Sequence, residues 1–253
     1  MYIPCSMPAH AENVRNAWDD LWDKVARNAN AGSDVEALGH DINQAKLEFM
    51  RPLLPTRGQA VEIGCGSAEL LALVGTAVPG LELHAFDNSE TALLQAAATA
   101  QKTGRPILTR LADARGLEVP DASFDLVLSG GLLEHFENPA QVLREMVRIL
   151  RPGGVFYADV VPRKFSLFRW REAKRMWRSP YLMPGVYEST LGANWYHGAL
   201  AALGCVEIRT LWCGVYPPRM AGKWAKKTKI LNGSALAELL GWYFMISARK
   251  GFP

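Results

Sequence analysis

The stretch Gln59-Ala60-Val61-Glu62-Ile63-Gly64-Cys65-Gly66-Ser67-Ala68-Glu69-Leu70-Leu71 constrains this chain more than any other. A short apolar run ends on an acid and a Gly-x-Gly turn, and a helix-like pattern follows at once. That order predicts a strand running through a glycine turn into a helix N-terminus, where unpaired N–H groups and the helix dipole favour an anionic group. Gly64 and Gly66 let the backbone turn sharply and approach a ligand with no Cβ in the way. The dinucleotide fingerprint needs a third glycine at position 69. Glu69 stands there, which argues against a nicotinamide cofactor.

More motifs follow in order. A second strand ends in Asp87, and Leu111-Ala112-Asp113-Ala114 comes after it. Phe124-Asp125-Leu126-Val127-Leu128-Ser129 then leads into Leu133-Glu134-His135-Phe136, and Arg148-Ile149-Leu150-Arg151-Pro152-Gly153-Gly154 closes the set. Over residues 59–160 this ordered set resembles the class I S-adenosylmethionine-dependent methyltransferases. The resemblance implies a doubly wound, mostly parallel seven-stranded Rossmann-like sheet with helices on both faces and an antiparallel last strand. Strand and helix patterns do alternate along this region, as a parallel sheet requires. The one departure is Ala68, which replaces the third glycine of the first motif.

The resemblance also implies S-adenosylmethionine as cofactor, S-adenosylhomocysteine as product and a role for each matching residue. Glu62 would hold the ammonium group. Gly64, Cys65 and Gly66 would form the turn beneath the methionine part, with Cys65 a small filler rather than a nucleophile. Asp87 would accept both ribose hydroxyls, since a carboxylate offers two oxygens to two adjacent donors. Asn88 would lie near the adenine face, Asp113 would accept from the adenine amino group, and the Ala114 N–H would meet the ring. Ser129 and Gly130 would line the same end. His135 is the candidate general base, because a neutral histidine accepts a hydroxyl proton. The other reading of Glu134-His135 is that the pair only shapes its loop. Ser129-Gly130-Gly131-Leu132 stands where amino-group methyltransferases carry Asn/Asp-Pro-Pro-Tyr. That turns the expectation from DNA towards a small-molecule acceptor, with O-methylation favoured.

At 253 residues the chain fits one large α/β domain with extensions. The expected division is a helical cap over 1–58, the cofactor-binding core over 59–161, a basic and aromatic lid over 162–190, and the rest of the same domain over 191–253. In the cap, one helix is expected from Pro8 to Asn28, with Val14, Trp18, Leu21, Trp22 and Val25 at helical spacing. A second is expected from Ile42 to Leu53, after a loop holding Asn30, Gly32, Ser33 and Gly39. Pro152-Gly153-Gly154 reads as a stop and turn before a strand at Val155–Val161. A helix from Ser189 to Leu203 and strands at Val206–Trp212 and Trp242–Ala248 complete the expected order.

The four cysteines are scattered with no Cys-x-x-Cys, so neither a metal site nor a disulfide framework follows, and a reducing cytoplasm is the default. No apolar run is long enough to span a bilayer, and the N-terminus does not read as a signal segment. Basic residues are concentrated: seven against the single acid Glu172 over 162–178, and five with no acid over 219–229. Such patches fit an anionic partner or a solvated face equally well. Over 162–190 the expectation is an amphipathic helix with Phe165, Phe168, Trp170, Trp177 and Tyr181 turned in over the acceptor and the arginines turned out. The competing account puts these aromatics against an anionic membrane surface, with a lipid, quinone or lipid-linked sugar as acceptor. An RNA methyltransferase using the basic patches and a non-catalytic cofactor-binding protein complete the alternatives.

Overall fold

The computed structural model describes residues 18–20, 22–23, 33–179, 181–183, 186–216 and 227–252. Residues 18–20 and 22–23 are helical. The rest of the helix expected over Pro8–Asn28, with Val14, Leu21 and Val25, lies outside the described residues, as do Cys5 and most of the second basic patch. Helix α1 (Ser33–Met50) runs into a single 3-10 turn at Arg51–Leu53. It begins nine residues before the expected start, so Ser33 and Gly39 belong to the helix rather than to a loop. The missed signal is Ser33 followed three residues later by Glu36, a helix-start pattern.

Strand and helix then alternate: β1 (Arg57–Ile63), α2 (Glu69–Ala77), β2 (Gly80–Asp87), α3 (Glu90–Thr103), β3 (Ile107–Leu111), β4 (Phe124–Gly130), α4 (Pro139–Ile149) and β5 (Leu150–Val160). Next come α5 (Ala173–Arg178), a small hairpin of β6 (Tyr181–Met183) and β7 (Val186–Tyr187), α6 (Ala193–Ala202), β8 (Cys205–Cys213), α7 (Ala235–Leu240) and β9 (Tyr243–Lys250). The main sheet has the order β3-β2-β1-β4-β5-β9-β8. The first five of these strands are parallel, and β9 pairs antiparallel with both β5 and β8. The expected sheet, with its antiparallel last strand, is the one observed.

Alternation of side chains along the strands builds a core on each face. Val61, Ile63, Val127, Phe156 and Ile246 pack on one side, Ala60, Leu126, Leu128, Tyr157 and Met245 on the other. Helix α4 starts with Pro139 in its first turn, where a missing N–H costs nothing, and buries Val142, Leu143, Met146 and Val147 on one stripe. Pro152-Gly153-Gly154 does not end the preceding element in a turn. Strand β5 begins at Leu150 and carries these residues as a bulge: Phe124 pairs with Leu150, whereas Leu126 pairs with Val155. Gly153, at φ 78°, absorbs the extra residues.

The region after β5 departs furthest from expectation. It is not a long amphipathic helix but a run of turns followed by the six-residue α5. Its polarity matches the expected one only in part: Arg171, Lys174 and Arg178 are exposed as expected, but so are three of the aromatics. Phe165, Trp170 and Trp177 are 53%, 52% and 95% exposed, while Arg169 is buried. Arg169 is accommodated because its guanidinium forms a two-pronged ion pair with the equally buried Glu188. Phe168 does turn inward, stacking on Trp242 with ring centroids 4.8 Å apart. The side chain of Tyr181 lies outside the described residues. No helix among the described residues is long and apolar enough to cross a membrane.

Candidate active site

The carboxyl ends of β1, β2 and β4 face a cavity of about 390 Å³. A crevice at these strand ends is where doubly wound sheets bind ligands, and the volume is in the usual range for one. Of the residues singled out from sequence, Gly64, Asp87, Asn88, Asp113, Ala114, Gly130 and His135 line it. Glu62, Cys65, Gly66 and Ser129 do not; each sits behind the wall.

The glycine turn explains the division. Gly64 and Gly66 have φ of 66° and 50°, the left-handed region that only glycine enters without strain. A Cβ on Gly64 would stand 2.7 Å from Leu132, and one on Gly66 2.3 Å from the Trp22 ring. The turn is thus roofed at one end by an indole from the N-terminal helix. Glu62 turns the other way. Its carboxylate accepts the Leu71 N–H at 3.2 Å, serving an otherwise unpaired donor in the first turn of α2. Burial pushes its pKa up to about 8, against the opposing charge of Lys46. At neutral pH it is therefore mainly the protonated acid. Burial likewise raises the Cys65 thiol far above its usual range, which leaves it unreactive. The Ser129 hydroxyl is enclosed and has no hydrogen-bond partner among the described residues.

Ala68 is the residue before α2 and holds φ at 54°. It is fully buried and not part of the cavity wall, so its influence on a ligand is indirect. An L-residue in this conformation costs about 1–2 kcal/mol, partly recovered in the unfolded chain on changing to glycine. Ala68→Gly is accordingly expected to stabilise the ligand-free protein by about 1 kcal/mol, read as a higher melting temperature. An unchanged or lower value would show that the turn is not strained.

Asp87 is the best-placed anchor. One carboxylate oxygen accepts the Gly66 N–H at 2.9 Å and the other the Ser89 N–H at 3.0 Å. The two oxygens together have about four acceptor positions, and the backbone N–H groups of Gly66, Ser89 and Asn88 take up to three, so at least one remains for a hydroxyl in the cavity. Burial raises the pKa of Asp87, opposed by these backbone bonds, and the nearby Asp19 carboxylate adds to the rise. Ser89 caps α3 by accepting the Ala92 N–H, and its hydroxyl donates to Asp19. Asp113 is already engaged by Arg115, through Nε at 3.0 Å and Nη2 at 2.5 Å. Burial would raise its pKa, but the Arg115 guanidinium and backbone N–H together hold it below the ordinary range.

His135 occupies a 3-10 turn after β4, with the Trp18 ring edge-on at 4.8 Å. Its Nδ1 is 2.8 Å from the Tyr187 carbonyl. A carbonyl only accepts, so Nδ1 carries the hydrogen and Nε2 of the neutral ring keeps its lone pair. Sequence reading missed Arg115 and Tyr187 in the cavity wall. It also missed a buried ion pair behind Gly130, in which Lys46 Nζ lies 2.9 Å from Asp159. Lys46 comes from α1 and Asp159 from β5, and no local spacing connects them.

The sheet order, the inserted antiparallel strand and the cavity at the strand ends define the class I methyltransferases. Residues 61–158 match the family described as "Methyltransferase domain". That match, together with the fold, supports a class I S-adenosylmethionine-dependent methyltransferase, a class whose cofactor is S-adenosylmethionine. Similar curated proteins include a ubiquinone biosynthesis O-methyltransferase of Paracidovorax citrulli, 32% identical over 51% of this chain and 55% of the relative. A ubiquinone/menaquinone biosynthesis C-methyltransferase of Desulfotalea psychrophila is 26% identical over 54% of each. The chain thus spans about half the length of the curated relatives it matches. A solved S-adenosylmethionine-dependent methyltransferase of Thermotoga maritima shares the fold, with a TM-score of 0.60, 18% identity, and 94% of this chain and 99% of that one covered. The cavity fits the cofactor: an acceptor position on Asp87, glycine backbone at Gly64 and Gly130, and the apolar Ala112 and Phe136 provide polar and flat surfaces together.

Proposed function

We propose that this chain transfers the methyl group of S-adenosylmethionine to a hydroxyl oxygen of a small acceptor, with a ring hydroxyl of a quinone precursor as the substrate class. S-adenosylmethionine supplies, when bound, an electrophilic methyl on a sulfonium. The protein then has to hold the acceptor in line and take its proton. The observation that carries this reading is the 2.8 Å contact of His135 Nδ1 with the Tyr187 carbonyl, which in the neutral ring leaves Nε2 as the acceptor, in a wall that also contains Trp18 and Tyr187. In this reading Asp87, Asn88, Asp113 and Ala114 hold the nucleoside part, and Gly64 and Gly130 flank the methionine part. Glu62 braces the turn, and Gly66 donates to Asp87. The names of the relatives favour quinone biosynthesis but include both O- and C-methylation. The histidine suits transfer to oxygen, where a base takes the departing hydroxyl proton. Incubating the protein with labelled S-adenosylmethionine and a catechol should give a methyl ether. Ring-carbon methylation as the sole product would overturn the assignment to oxygen.

A membrane-facing form of this reading is supported by the outward aromatics. Trp177 and Trp170 stand among Arg171, Lys174 and Arg178, and the Arg171 guanidinium lies over the Trp170 ring at 5.3 Å. The Leu167 N–H donates to the Leu240 carbonyl, bringing this segment beside α7, where Leu239 is also exposed. Tryptophan with interleaved cations suits the interface of an anionic bilayer, at about 1 kcal/mol per basic residue near the surface. Trp170→Ser/Trp177→Ser should release the protein from vesicles containing phosphatidylglycerol while its unfolding temperature holds. Equal retention of both proteins, or equal absence of binding, would remove the membrane from the reading.

A further inference from the structure

The ion pair Arg169–Glu188 is an odd thing to bury in a surface insertion. Arg169 and Glu188 are 9% and 7% exposed, and Arg169 Nη2 lies 3.0 Å from Glu188 Oε1 while Nη1 meets Oε2. Pairs of this kind contribute little net stability compared with well-packed apolar side chains, because desolvation offsets the attraction. What they do provide is geometry, since a fork-to-carboxylate contact has one good arrangement. Here that arrangement acts on a particular peptide group. The Tyr187 carbonyl, which accepts from His135 Nδ1, belongs to the planar unit that joins Tyr187 to Glu188.

Residues 187–189 are gripped from both sides. Inside, His135 Nδ1 donates to the Tyr187 carbonyl, and the Ser189 N–H donates to the Glu134 carbonyl at 2.8 Å. Outside, Arg163 donates through Nε to the Glu188 carbonyl at 3.1 Å and through its N–H to the Ser189 carbonyl at 2.7 Å. The Arg169 backbone is in turn tied to Ser166, whose Oγ accepts its N–H at 3.1 Å. The insertion therefore reaches the cavity as a clamp on one carbonyl.

We propose that Arg169 and Glu188 are positioning residues for His135: they orient the Tyr187 carbonyl, which keeps the hydrogen on Nδ1 and the lone pair on Nε2. The inference rests on the reading of His135 as the base. If this peptide tilts, Nδ1 loses its acceptor, and the imidazole is free to adopt the other tautomer or to turn its ring. Either change removes the lone pair from the cavity. A misplacement of this size far from the chemistry costs up to about a hundredfold in rate.

The test uses the whole chain and two variants, Glu188→Gln and the doubly apolar Arg169→Met/Glu188→Leu, which keeps volume without leaving a buried charge alone. Long-range nitrogen–proton NMR of His135 in the ligand-free protein reports the tautomer directly. Steady-state kinetics separate kcat from KM. The wild type should show a single tautomer with hydrogen on Nδ1. The double variant should unfold near the wild-type temperature yet show mixed tautomers. Its kcat should fall by roughly tenfold to a hundredfold, with KM for S-adenosylmethionine unchanged. A double variant with the wild-type tautomer and wild-type kcat would make the pair merely structural and sink the proposal. Failure of the base reading looks different: His135→Asn would keep full activity, whatever the NMR shows for the clamp.

Discussion

His135→Asn lowers kcat by roughly 10²–10⁴, the range for loss of a positioned general base, with the affinity for S-adenosylhomocysteine unchanged. Asparagine is chosen because its amide can still donate to the Tyr187 carbonyl, where His135 Nδ1 now donates at 2.8 Å. The loop is thereby kept and only the Nε2 lone pair is lost. Alanine would remove both functions at once, and the two could not be separated. The 3-10 turn that carries His135 is also held by Glu134, whose Oε1 accepts the Val161 N–H at 3.0 Å. Burial raises the pKa of Glu134, opposed by its backbone hydrogen bonds and by the neighbouring His135. Calorimetry with S-adenosylhomocysteine and single-turnover methyl transfer on the same preparation check the prediction. Unchanged transfer in the variant would assign His135 to loop geometry alone, the alternative that its sequence context left open.

Asp87→Ala produces the second large effect. The cofactor should bind more weakly by on the order of 1.5–3 kcal/mol, the range for hydrogen bonds to a charged group. That corresponds to about a tenfold to hundredfold change in Kd. The variant also leaves the N–H groups of Gly66 and Ser89, which Asp87 accepts from at 2.9 Å and 3.0 Å, without that partner. This cost falls on the free and the bound protein alike, so it lowers the melting temperature of the variant rather than its affinity. A pH dependence follows from the same carboxylate. Protonation removes an acceptor, so affinity falls as pH falls. Because burial raises the Asp87 pKa, the loss should set in above the ordinary carboxylate range. Affinity that stays flat to the bottom of that range would show that Asp87 does not meet the ribose.

The outward Trp177 and inward Arg169 bear on how the acceptor arrives. Helix α5 packs against β6, which pairs with β7, and β7 carries the Tyr187 carbonyl that meets His135. The face proposed for a bilayer is therefore only a few elements from the proposed base. A surface that bends this hairpin would also act on the imidazole.

Most of what depends on neighbours in the chain was legible without coordinates; the start of α1 at Ser33 and the bulge at Pro152–Gly154 were not. The strand, glycine turn and helix at Gln59–Leu71 declare themselves because a strand and a helix have different apolar periods and only glycine enters the left-handed turn freely. Asp87 could be placed at a strand end because its strand is short and a helix cap, Ser89, follows two residues later. The order of these local signals sufficed for the sheet and for most of the cavity wall. Contacts across the fold were not legible. Glu62 stands beside the turn in sequence, yet its carboxylate reaches the Leu71 N–H and not the cavity. Lys46 finds Asp159 across 112 intervening positions of chain, with nothing local to announce it. The arginines of 162–178 read as a wet face because burying a lone charge is costly, and periodicity cannot show that Glu188 waits to receive one of them. Only the tertiary structure decides which charge has a partner, because a partner removes the very penalty by which sequence reading sorts inside from outside.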